Sequence, residues 1–330
     1  MGVSQSLLVS PLPKKRTVMV TGGSKGIGYE TSKRMAMMGL NVIIVTRSDE
    51  RGSEAIKQMD EEFQEAKAKK KKGDVLPAVE KLDIEYMICD LASLKSVMTF
   101  IEKFKASKRE LHVLICNAST YAIREGMTED NHDAVYQVNY LSHFLIVAHF
   151  LPIMEKSGDD CRIVLVSSQV HHDAKFDAEL AAGKKMKEYD GFQCYANTKL
   201  YQIMQMHSLD HVLEETTRTV DILAVHPGRL DAQVFENDPQ YGGFNCRICC
   251  MSCCGKMHST EEGAVTTVYT ALSPTLKGTS RGYYLNPMDG PTWPSKGARN
   301  KKLQDQLWKC TLEVLKDYLT PEVRCALNIS

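Results

Sequence analysis

The sequence predicts an α/β fold in one domain, a doubly wound parallel sheet of about seven strands with helices on both faces and a helical C-terminal tail. Short β-branched runs alternate with longer helical stretches from Thr17 onward. These stretches are long enough to serve as crossover connections, which parallel strands require. A glycine-rich turn separates the first run from the first helix.

The strands are predicted from runs that are apolar along their whole length, because strands of a covered parallel sheet are buried on both faces. In chain order these runs are TVMVTG, NVIIVT, IEYMICD, HVLICNA, RIVLVSS, VDILAVHPG and RGYYL.

The helices are predicted between these runs, where charged and apolar residues recur with helical spacing. They cover Tyr29–Met38, Asp49–Lys67, Leu94–Phe104, about Thr128–Met154, the segment that contains YANTK, and a stretch from Glu261.

Four segments lie outside this alternation. Residues 1–16 are predicted to be a flexible N-terminal segment, and residues 17–330 one domain. The lysine run from Lys67 to Lys72 fits a solvated helix end and loop, or a contact with an anionic surface. The polar stretch from His171 to Asp190 is predicted to be a surface insertion. A cysteine-rich segment spans about residues 240–258.

The composition favours a small-molecule or lipid ligand. The chain has 330 residues, 43% of them hydrophobic, and 41 basic side chains balance 41 acidic ones. A chain without a basic field gives no reason to expect nucleic acid. No apolar segment approaches 18 residues and no secretory signal opens the chain, so we expect a cytosolic protein with most of its 11 cysteines reduced.

The glycine-rich turn predicts a dinucleotide site. Gly22, Gly26 and Gly28 lie between the first strand and the first helix. Glycines there let the backbone approach a pyrophosphate, which the helix N-terminus then holds. The cofactor contacts expected from this loop are Gly22, Ser24, Lys25, Gly26, Ile27 and Gly28.

The end of the second strand bears on the choice between NADP and NAD. An acidic side chain there binds the ribose 2′-hydroxyl, whereas an arginine accommodates a 2′-phosphate. VIIVTR ends in Arg47, and Lys25 lies in the glycine loop. These two cations favour NADP. In the alternative interpretation Arg47 is a surface charge and Asp49 reaches the ribose, which would favour NAD.

Further motifs follow the glycine loop in a fixed order: CDLAS at Asp90, CNAS at Asn117, VNYLSHF at Asn139, VLVSS at Ser168 and YANTK at Tyr195. Three longer stretches are KFKASKRELHVLICNAS, NYLSHFLI and KLQDQLWKCTLEVL. Together with the glycine loop, the ordered motifs make the chain resemble the short-chain dehydrogenase/reductase family from Thr17 to about Leu315. The resemblance is to the retinol dehydrogenase and WW-domain oxidoreductase branch, and the three longer stretches carry a narrower match to its X-linked dehydrogenase/reductase members.

The resemblance implies a Rossmann-type fold, a nicotinamide cofactor and four catalytic residues. Tyr195 would exchange a proton with the substrate oxygen, and Lys199, four residues later on the same helix face, would lower the pKa of its phenol and hold the nicotinamide ribose. Ser168 would bind the substrate oxygen, and Asn139 would anchor a water in a proton relay from Lys199. The further cofactor contacts implied are Asp90, Leu91, Asn117, Pro227 and Gly228.

Three points qualify the match. Ser167 and Ser168 are adjacent on a strand and point to opposite faces, and the resemblance favours Ser168. Ser119 stands where the family has glycine. Ala232 replaces the family's threonine after Pro227, so it cannot offer a hydroxyl to the nicotinamide carboxamide.

The resemblance implies that the cysteine-rich segment at about residues 240–258 is a substrate lid, and the N-terminus and this cysteine-rich lid together suggest lipid attachment. MGVSQS matches the pattern for myristoylation of Gly2, and a single acyl chain needs a second signal for stable membrane attachment. Palmitoylation of the lid could supply it; zinc would need two separated ligand pairs, so no metal site is predicted. Both patterns could instead be incidental. The lid cysteines are Cys246, Cys249, Cys250, Cys253 and Cys254.

The prediction is therefore an NADP-dependent oxidoreductase acting on a lipophilic alcohol or carbonyl compound: a retinoid, sterol, polyprenol or long-chain aldehyde. The alternative is a membrane-attached NADP-binding interaction protein that has lost catalysis. The helix from Thr128 and the Tyr–Lys helix are the faces through which family members often form homodimers. Four histidines, His143, His149, His171 and His172, are assigned to packing or surface positions outside the site.

Overall fold

The sheet has the predicted class and connectivity. The computed structural model describes residues 16–69, 79–122, 124–215, 219–228, 259–285 and 290–329. The strands in these ranges are β1 (Thr17–Thr21), β2 (Asn41–Thr46), β3 (Ile84–Ile88), β4 (Val113–Cys116), β5 (Cys161–Val166), β6 (Val220–Val225) and β7 (Tyr283–Tyr284). All pair in parallel, in the order β3-β2-β1-β4-β5-β6-β7.

The strand order reverses between β1 and β4, and this reversal places the site. The chain winds outward from β1 to β3, then crosses back so that β4 pairs with the other side of β1. Connections leave the two central strands in opposite directions, which opens a crevice at their carboxyl ends. The predicted glycine loop follows β1 at this crevice.

Nine labelled helices surround the sheet in the described ranges, with two apolar clusters that fill its two faces. One cluster includes side chains of α3, α4 and α6, and the other includes those of α1, α2 and α7, as defined below. The helices are α1 (Gly26–Met37), α2 (Asp49–Ala68), α3 (Leu94–Ala106), α4 (Ser142–Ser157), α5 (Ala178–Ala181), α6 (Gly191–Glu215), α7 (Thr260–Leu272), α8 (Lys301–Val314) and α9 (Pro321–Ala326).

The long helix predicted from about Thr128 begins later than expected. Helical structure starts at Ala134, because the side chain of Asp133 accepts hydrogen bonds from the next free amides and caps the first turn. The turn is followed by a π-helical segment, Gln137–Leu141, before α4. The prediction of one uniform helix was wrong because alternating polar residues do not reveal a cap or a π turn.

The segment from His171 to Asp190 is not a purely surface insertion. Its beginning is a 3-10 turn, Gln169–His172, and α5 follows. His171 and Leu180 are fully buried. The polar composition of the segment does not indicate this burial, because the buried ring of His171 makes its hydrogen bonds within the protein, as described below.

The C-terminal helices pack on the outer faces of α4 and α6. The Trp308 ring lies edge-on to Phe144, with 5.2 Å between ring centroids, and the hydroxyls of Tyr140 and Thr311 are 2.8 Å apart. A homodimer formed through these faces would have to accommodate α8 and α9. Across the described parts of the chain, no helix combines the length and apolar character needed to cross a bilayer.

Candidate active site

The glycine turn after β1 has the geometry that a dinucleotide site needs. Gly22 and Gly26 have φ angles of +64° and +60°, in the left-handed region that favours glycine. A Cβ on Gly28 would lie 2.3 Å from the Gly22 carbonyl oxygen. The side chain of Lys25 does not cap α1, and no acidic residue occupies its first turn. The first amides of α1 and their dipole therefore suit a phosphate.

Thr21 and Asn117 lock this turn to the neighbouring strand. The hydroxyl of Thr21 accepts hydrogen bonds from the amides of Asn117 and Ala118 at 2.9 and 3.0 Å. The Asn117 side chain donates to the Thr21 carbonyl at 2.9 Å. Asn117 thus braces the loop from β4, which explains why an amide side chain is useful at this point of the fold.

The predicted adenosine end lies at the ends of β2 and β3. Arg47 and Lys25 are both exposed. The carboxylate of Asp49 accepts a 2.6 Å hydrogen bond from the Tyr86 hydroxyl. Asp90 follows β3, and its carboxylate accepts a hydrogen bond from the Ala92 amide at 3.0 Å. The neighbouring predicted contacts Ser24 and Ile27 are half-buried, and Leu91 is buried.

Tyr195 and Lys199 share one face of α6, as their spacing predicts. Asp190 caps this helix by accepting hydrogen bonds from the amides of Phe192 and Gln193 at 2.9 and 3.2 Å. The Lys199 Nζ lies 5.5 Å from the centre of the Tyr195 ring. The Tyr195 ring also contacts the ring of a second tyrosine edge-on, with 5.7 Å between centroids. A phenol above a buried amine can exchange protons with a bound ligand.

Lys199 is the most strongly buried cation of this arrangement. Only 1% of the residue is exposed. Burial lowers the pKa of its amine to about 7, because the charged form loses its hydration. Nζ donates hydrogen bonds to the Val166 carbonyl at 2.9 Å and to Gln202 Oε1 at 3.2 Å. These two acceptors favour the ammonium form and oppose part of the burial effect.

The two serines after β5 have different surroundings. Ser167 is buried, and its hydroxyl donates to the Lys199 carbonyl at 2.8 Å. Ser168 is half-buried, and its hydroxyl accepts a long hydrogen bond of 3.4 Å from the Val170 amide. The Ser167 hydroxyl serves α6, whereas that of Ser168 retains the capacity to donate to a substrate oxygen. This difference supports the choice of Ser168.

Asn139 lies in the π-helical turn and is fully buried. Its side chain accepts from the Thr120 amide at 2.7 Å and donates to the Thr120 carbonyl at 2.9 Å and to the Thr198 hydroxyl at 3.1 Å. Asn139 therefore ties the loop after β4 to α6. The amide nitrogen and the oxygen of its side chain both form hydrogen bonds within the protein. Its main-chain carbonyl accepts a hydrogen bond from Gln202 Nε2, and Gln202 Oε1 in turn accepts one from Lys199 Nζ.

His143 belongs to the same network, a role that no sequence motif indicates. Its Nδ1 lies 3.1 Å from the Asn139 carbonyl, which can only accept, so Nδ1 carries the proton. Its Nε2 then accepts from the Thr21 hydroxyl at 2.9 Å. Burial is the main reason that the pKa of His143 is lowered to about 4. A neutral histidine thus connects the glycine turn with the π-helical turn.

His171 supports Ser168 in a similar way. Its Nδ1 donates to the Ser168 carbonyl at 2.7 Å, and its Nε2 accepts from the Ser295 amide at 3.1 Å. Burial is the main reason that the pKa of this ring is lowered to about 4. The C-terminal segment is thereby attached to the loop that carries the candidate catalytic serine.

The last predicted cofactor contacts follow β6. Pro227 is buried, and Gly228 has a φ angle of +89°. Ala232 lies outside the described residues, as do Gly2 and the cysteine-rich lid. The six described cysteines are free thiols, namely Cys89, Cys116, Cys161, Cys194, Cys310 and Cys325.

Comparison with protein families and curated proteins places this geometry in a known context. Residues 16–241 match the short chain dehydrogenase family. The chain is 30% identical over 311 residues to human polyprenol dehydrogenase, covering 93% of this chain and 87% of that protein. It is 31% identical over 312 residues to the WW domain-containing oxidoreductase of Gallus gallus, covering 92% of this chain and 69% of that protein.

Solved structures share the fold at lower sequence identity. An uncharacterized protein from Mycobacterium paratuberculosis aligns with a TM-score of 0.70 at 22% identity, covering 94% of this chain and 97% of the other. A mutant of a Serratia marcescens short-chain dehydrogenase/reductase aligns with a TM-score of 0.60 at 18% identity, covering 84% and 98%. These likenesses extend across most of each chain and concern the fold alone.

Proposed function

The chain belongs to the short-chain dehydrogenase family of nicotinamide-dependent oxidoreductases, and on that premise we propose that it is an NADP-dependent enzyme acting on a lipophilic alcohol or carbonyl compound. One observation carries the proposal: a buried amine, Lys199, lies 5.5 Å from the ring centre of Tyr195 and donates a hydrogen bond to Val166, the last residue of β5. The glycine turn fits a dinucleotide because its backbone angles and close contacts exclude side chains.

The proposed chemistry divides between cofactor and protein. When bound, the nicotinamide supplies a hydride to the carbonyl carbon in the reductive direction. Tyr195 donates its phenolic proton to the carbonyl oxygen, and the ammonium of Lys199 stabilises the phenolate that remains. The Ser168 hydroxyl donates a hydrogen bond to the same oxygen, where negative charge develops. In the oxidative direction Tyr195 accepts the proton.

Turnover is tested by following NADPH oxidation with a panel of carbonyl substrates, namely long-chain aldehydes, retinaldehydes, ketosteroids and polyprenals. Tyr195→Phe keeps the ring and removes the hydroxyl, so it should lose at least about a hundredfold in rate while it still binds NADPH. Full activity in this variant would reject the assignment. Tight NADPH binding by the unsubstituted chain without turnover on any substrate would instead favour a binding module.

The preference for NADP is supported by the contacts of the competing carboxylate. Asp49 accepts a hydrogen bond from Tyr86, whereas Arg47 is exposed beyond the end of β2. A 2′-phosphate would gain a charge-assisted contact with the guanidinium. Fluorescence titration should show tighter binding of NADPH than of NADH, and Arg47→Asp should abolish the difference. Equal affinities in the unsubstituted protein would contradict the preference.

The lipophilic substrate class is supported by a relative's name and by the surface. One of the relatives reported above is human polyprenol dehydrogenase, and polyprenols are long apolar alcohols. Trp293 is 78% exposed and stacks near the Arg299 guanidinium at 5.4 Å. A tryptophan beside a cation suits a membrane interface. We therefore include attachment to the cytosolic face of a membrane in the proposal.

Membrane attachment is tested by fractionation of cells that express the intact chain, Gly2→Ala, and a variant with serine at all five lid cysteines. The acylation proposal expects the intact chain in the membrane fraction and both variants shifted toward the supernatant, since one acyl chain alone binds only marginally. The same distribution for all three proteins would refute it.

A further inference from the structure

Gln202 forms a direct bridge between the candidate catalytic lysine and the π-helical turn. Its side chain is fully buried on α6, three residues after Lys199. Oε1 accepts from Lys199 Nζ at 3.2 Å, and Nε2 donates to the Asn139 carbonyl at 3.1 Å. Chemistry fixes this orientation of the amide, because an ammonium can only donate and a carbonyl can only accept.

The far end of the bridge is held from a second side. The Asn139 carbonyl also accepts from His143 Nδ1 at 3.1 Å. A carbonyl oxygen has two lone pairs, so it can accept both of these bonds. Gln202 therefore cannot turn its amide away from Lys199 without leaving a buried carbonyl with one donor fewer and a buried amide unsatisfied.

At its other end, Gln202 contacts the amine of Lys199, whose charged form is disfavoured by burial. Burial lowers the pKa of Lys199 to about 7. Within the described residues no carboxylate forms an ion pair with Lys199, and its hydrogen bonds go to two neutral oxygens, those of Val166 and Gln202. Removing one of two acceptors from a buried ammonium should shift it further toward the neutral amine.

We propose that Gln202 is a positioning residue that keeps Lys199 charged and fixed beneath Tyr195, and that it thereby sets the acidity of the Tyr195 phenol. The inference rests on the proposed function of Tyr195 and Lys199. It assigns to Gln202 a role that its neighbour Gln205 does not have. Gln205 is also buried on α6, yet neither of its amide atoms has a hydrogen-bond partner in the described parts of the chain.

Among the residues that the structure describes, two titratable groups face Lys199 from the elements packed around it. Tyr195 lies on the same helix, with its ring centre 5.5 Å from Nζ. His143 lies on α4, and the positive charge of Lys199 contributes to the lowering of its pKa. His143 is neutral near pH 7, so between pH 6 and pH 10 a change in Tyr195 titration reports on Lys199 and not on this ring.

The test measures the phenol of Tyr195 without any need for a substrate. The chain has 13 tyrosines, so the ultraviolet absorbance of tyrosinate is followed against pH in the NADP-bound protein and in NADP-bound Tyr195→Phe, and the difference isolates one phenol. The same pair is then measured in a Gln202→Met background, where methionine fills a similar volume without an acceptor. Gln205→Met is the matched control.

The expected result is a rise of about one unit or more in the pKa of the Tyr195 phenol in Gln202→Met, because an opposite charge at about 4–6 Å lowers such a pKa by about 1–3 units and the variant loses part of that charge. Gln205→Met should leave it unchanged. The pH optimum of NADPH oxidation should move upward by the same amount in Gln202→Met alone. Gln202→Leu gives a second apolar variant if the methionine protein does not fold.

Two outcomes would overturn the inference, and they are distinguishable. A lowered phenol pKa in the unsubstituted protein that persists in Gln202→Met rejects the role of Gln202 and leaves the proposed function intact. An ordinary tyrosine titration in the unsubstituted NADP-bound protein rejects the acid–base role of Tyr195, and the inference fails with it. Equal shifts in the Gln202 and Gln205 variants would also reject it, because they would indicate a general effect on helix packing.

Discussion

Acid should destabilise this protein through His143, and the structure sets the size of the effect. His143 is fully buried as a neutral ring between the glycine turn and the π-helical turn, with a pKa of about 4 against an ordinary value of 6.5. In the unfolded chain the same ring binds a proton near pH 6.5. The unfolded state therefore binds more protons between pH 6.5 and pH 4, so stability is complete above this window and falls within it.

The free energy follows from the two pKa values. A shift of about 2.5 units corresponds to about 3 kcal/mol, reached near pH 4. Between pH 7.5 and pH 5 the contribution of His143 alone is about 2 kcal/mol. His171 and His207 also have pKa values lowered to about 4 by burial, so the total acid sensitivity should exceed this figure.

The assay compares the unsubstituted protein with His143→Gln in urea denaturation at pH 7.5 and pH 5. Glutamine keeps one donor and one acceptor but does not titrate. On acidification the His143→Gln protein should therefore lose about 2 kcal/mol less stability than the unsubstituted protein. The other histidines are the same in both proteins and cancel in the comparison. His172→Gln, at an exposed position, serves as the control and should behave like the unsubstituted chain. Equal acid sensitivity with and without His143 would refute the reasoning.

Three further predictions concern the glycine turn, helix α8 and the buried amine of Lys199. Gly28→Ala should lower the free energy of unfolding by about 1–3 kcal/mol and abolish NADPH binding, because its Cβ would collide with the backbone of the glycine turn. Gly126→Ala is the control, since its Cβ would have no atom within 4 Å, and it should change neither the thermal melt nor the NADPH titration. Trp308→Ala should cost about 2 kcal/mol in urea denaturation by removing the contact with Phe144, and an unchanged midpoint would show that α8 adds little. Lys199→Met should lose turnover, but its free energy of unfolding at pH 7 should be higher than that of the parent chain by about 1 kcal/mol or more. This gain should shrink as the pH rises toward 10.5, because the lysine of the unfolded chain then also loses its proton. Lower stability than the parent chain at pH 7 would contradict the prediction.

The sequence predicts the sheet well because its signal is local and repeated. β2 has the predicted boundaries, and α2 ends one residue later than predicted. Runs of β-branched residues bounded by glycine or charged residues define such elements without reference to the rest of the chain. The start at Thr128 was wrong because the helix start depends on the side chain of Asp133 capping two specific amides. Several other polar residues of the same stretch are also suitable helix caps, so the sequence does not single out Asp133.

The histidines show the limit of residue-by-residue prediction at the site. The sequence assigns His143 and His171 to packing or surface positions outside the site, and both are buried. Each also contacts a residue that the motifs single out, Asn139 or Ser168. No spacing rule connects Thr21 with His143, because their contact crosses from the end of one strand to a distant helix. The motif residues could be found from a family resemblance, but their hydrogen-bond partners could not.

The sequence by itself determined the alternation of strands and helices, the glycines of the first turn and the four-residue spacing of Tyr195 and Lys199, since all three are set by neighbours along the chain. The tertiary structure alone decided which groups surround Lys199, how Gln202 and His143 share one carbonyl, and which faces α8 and α9 cover. The physical reason is that burial and hydrogen-bond pairing depend on atoms far apart in sequence. The pKa of a buried amine is fixed by that enclosure and not by the identity of its sequence neighbours.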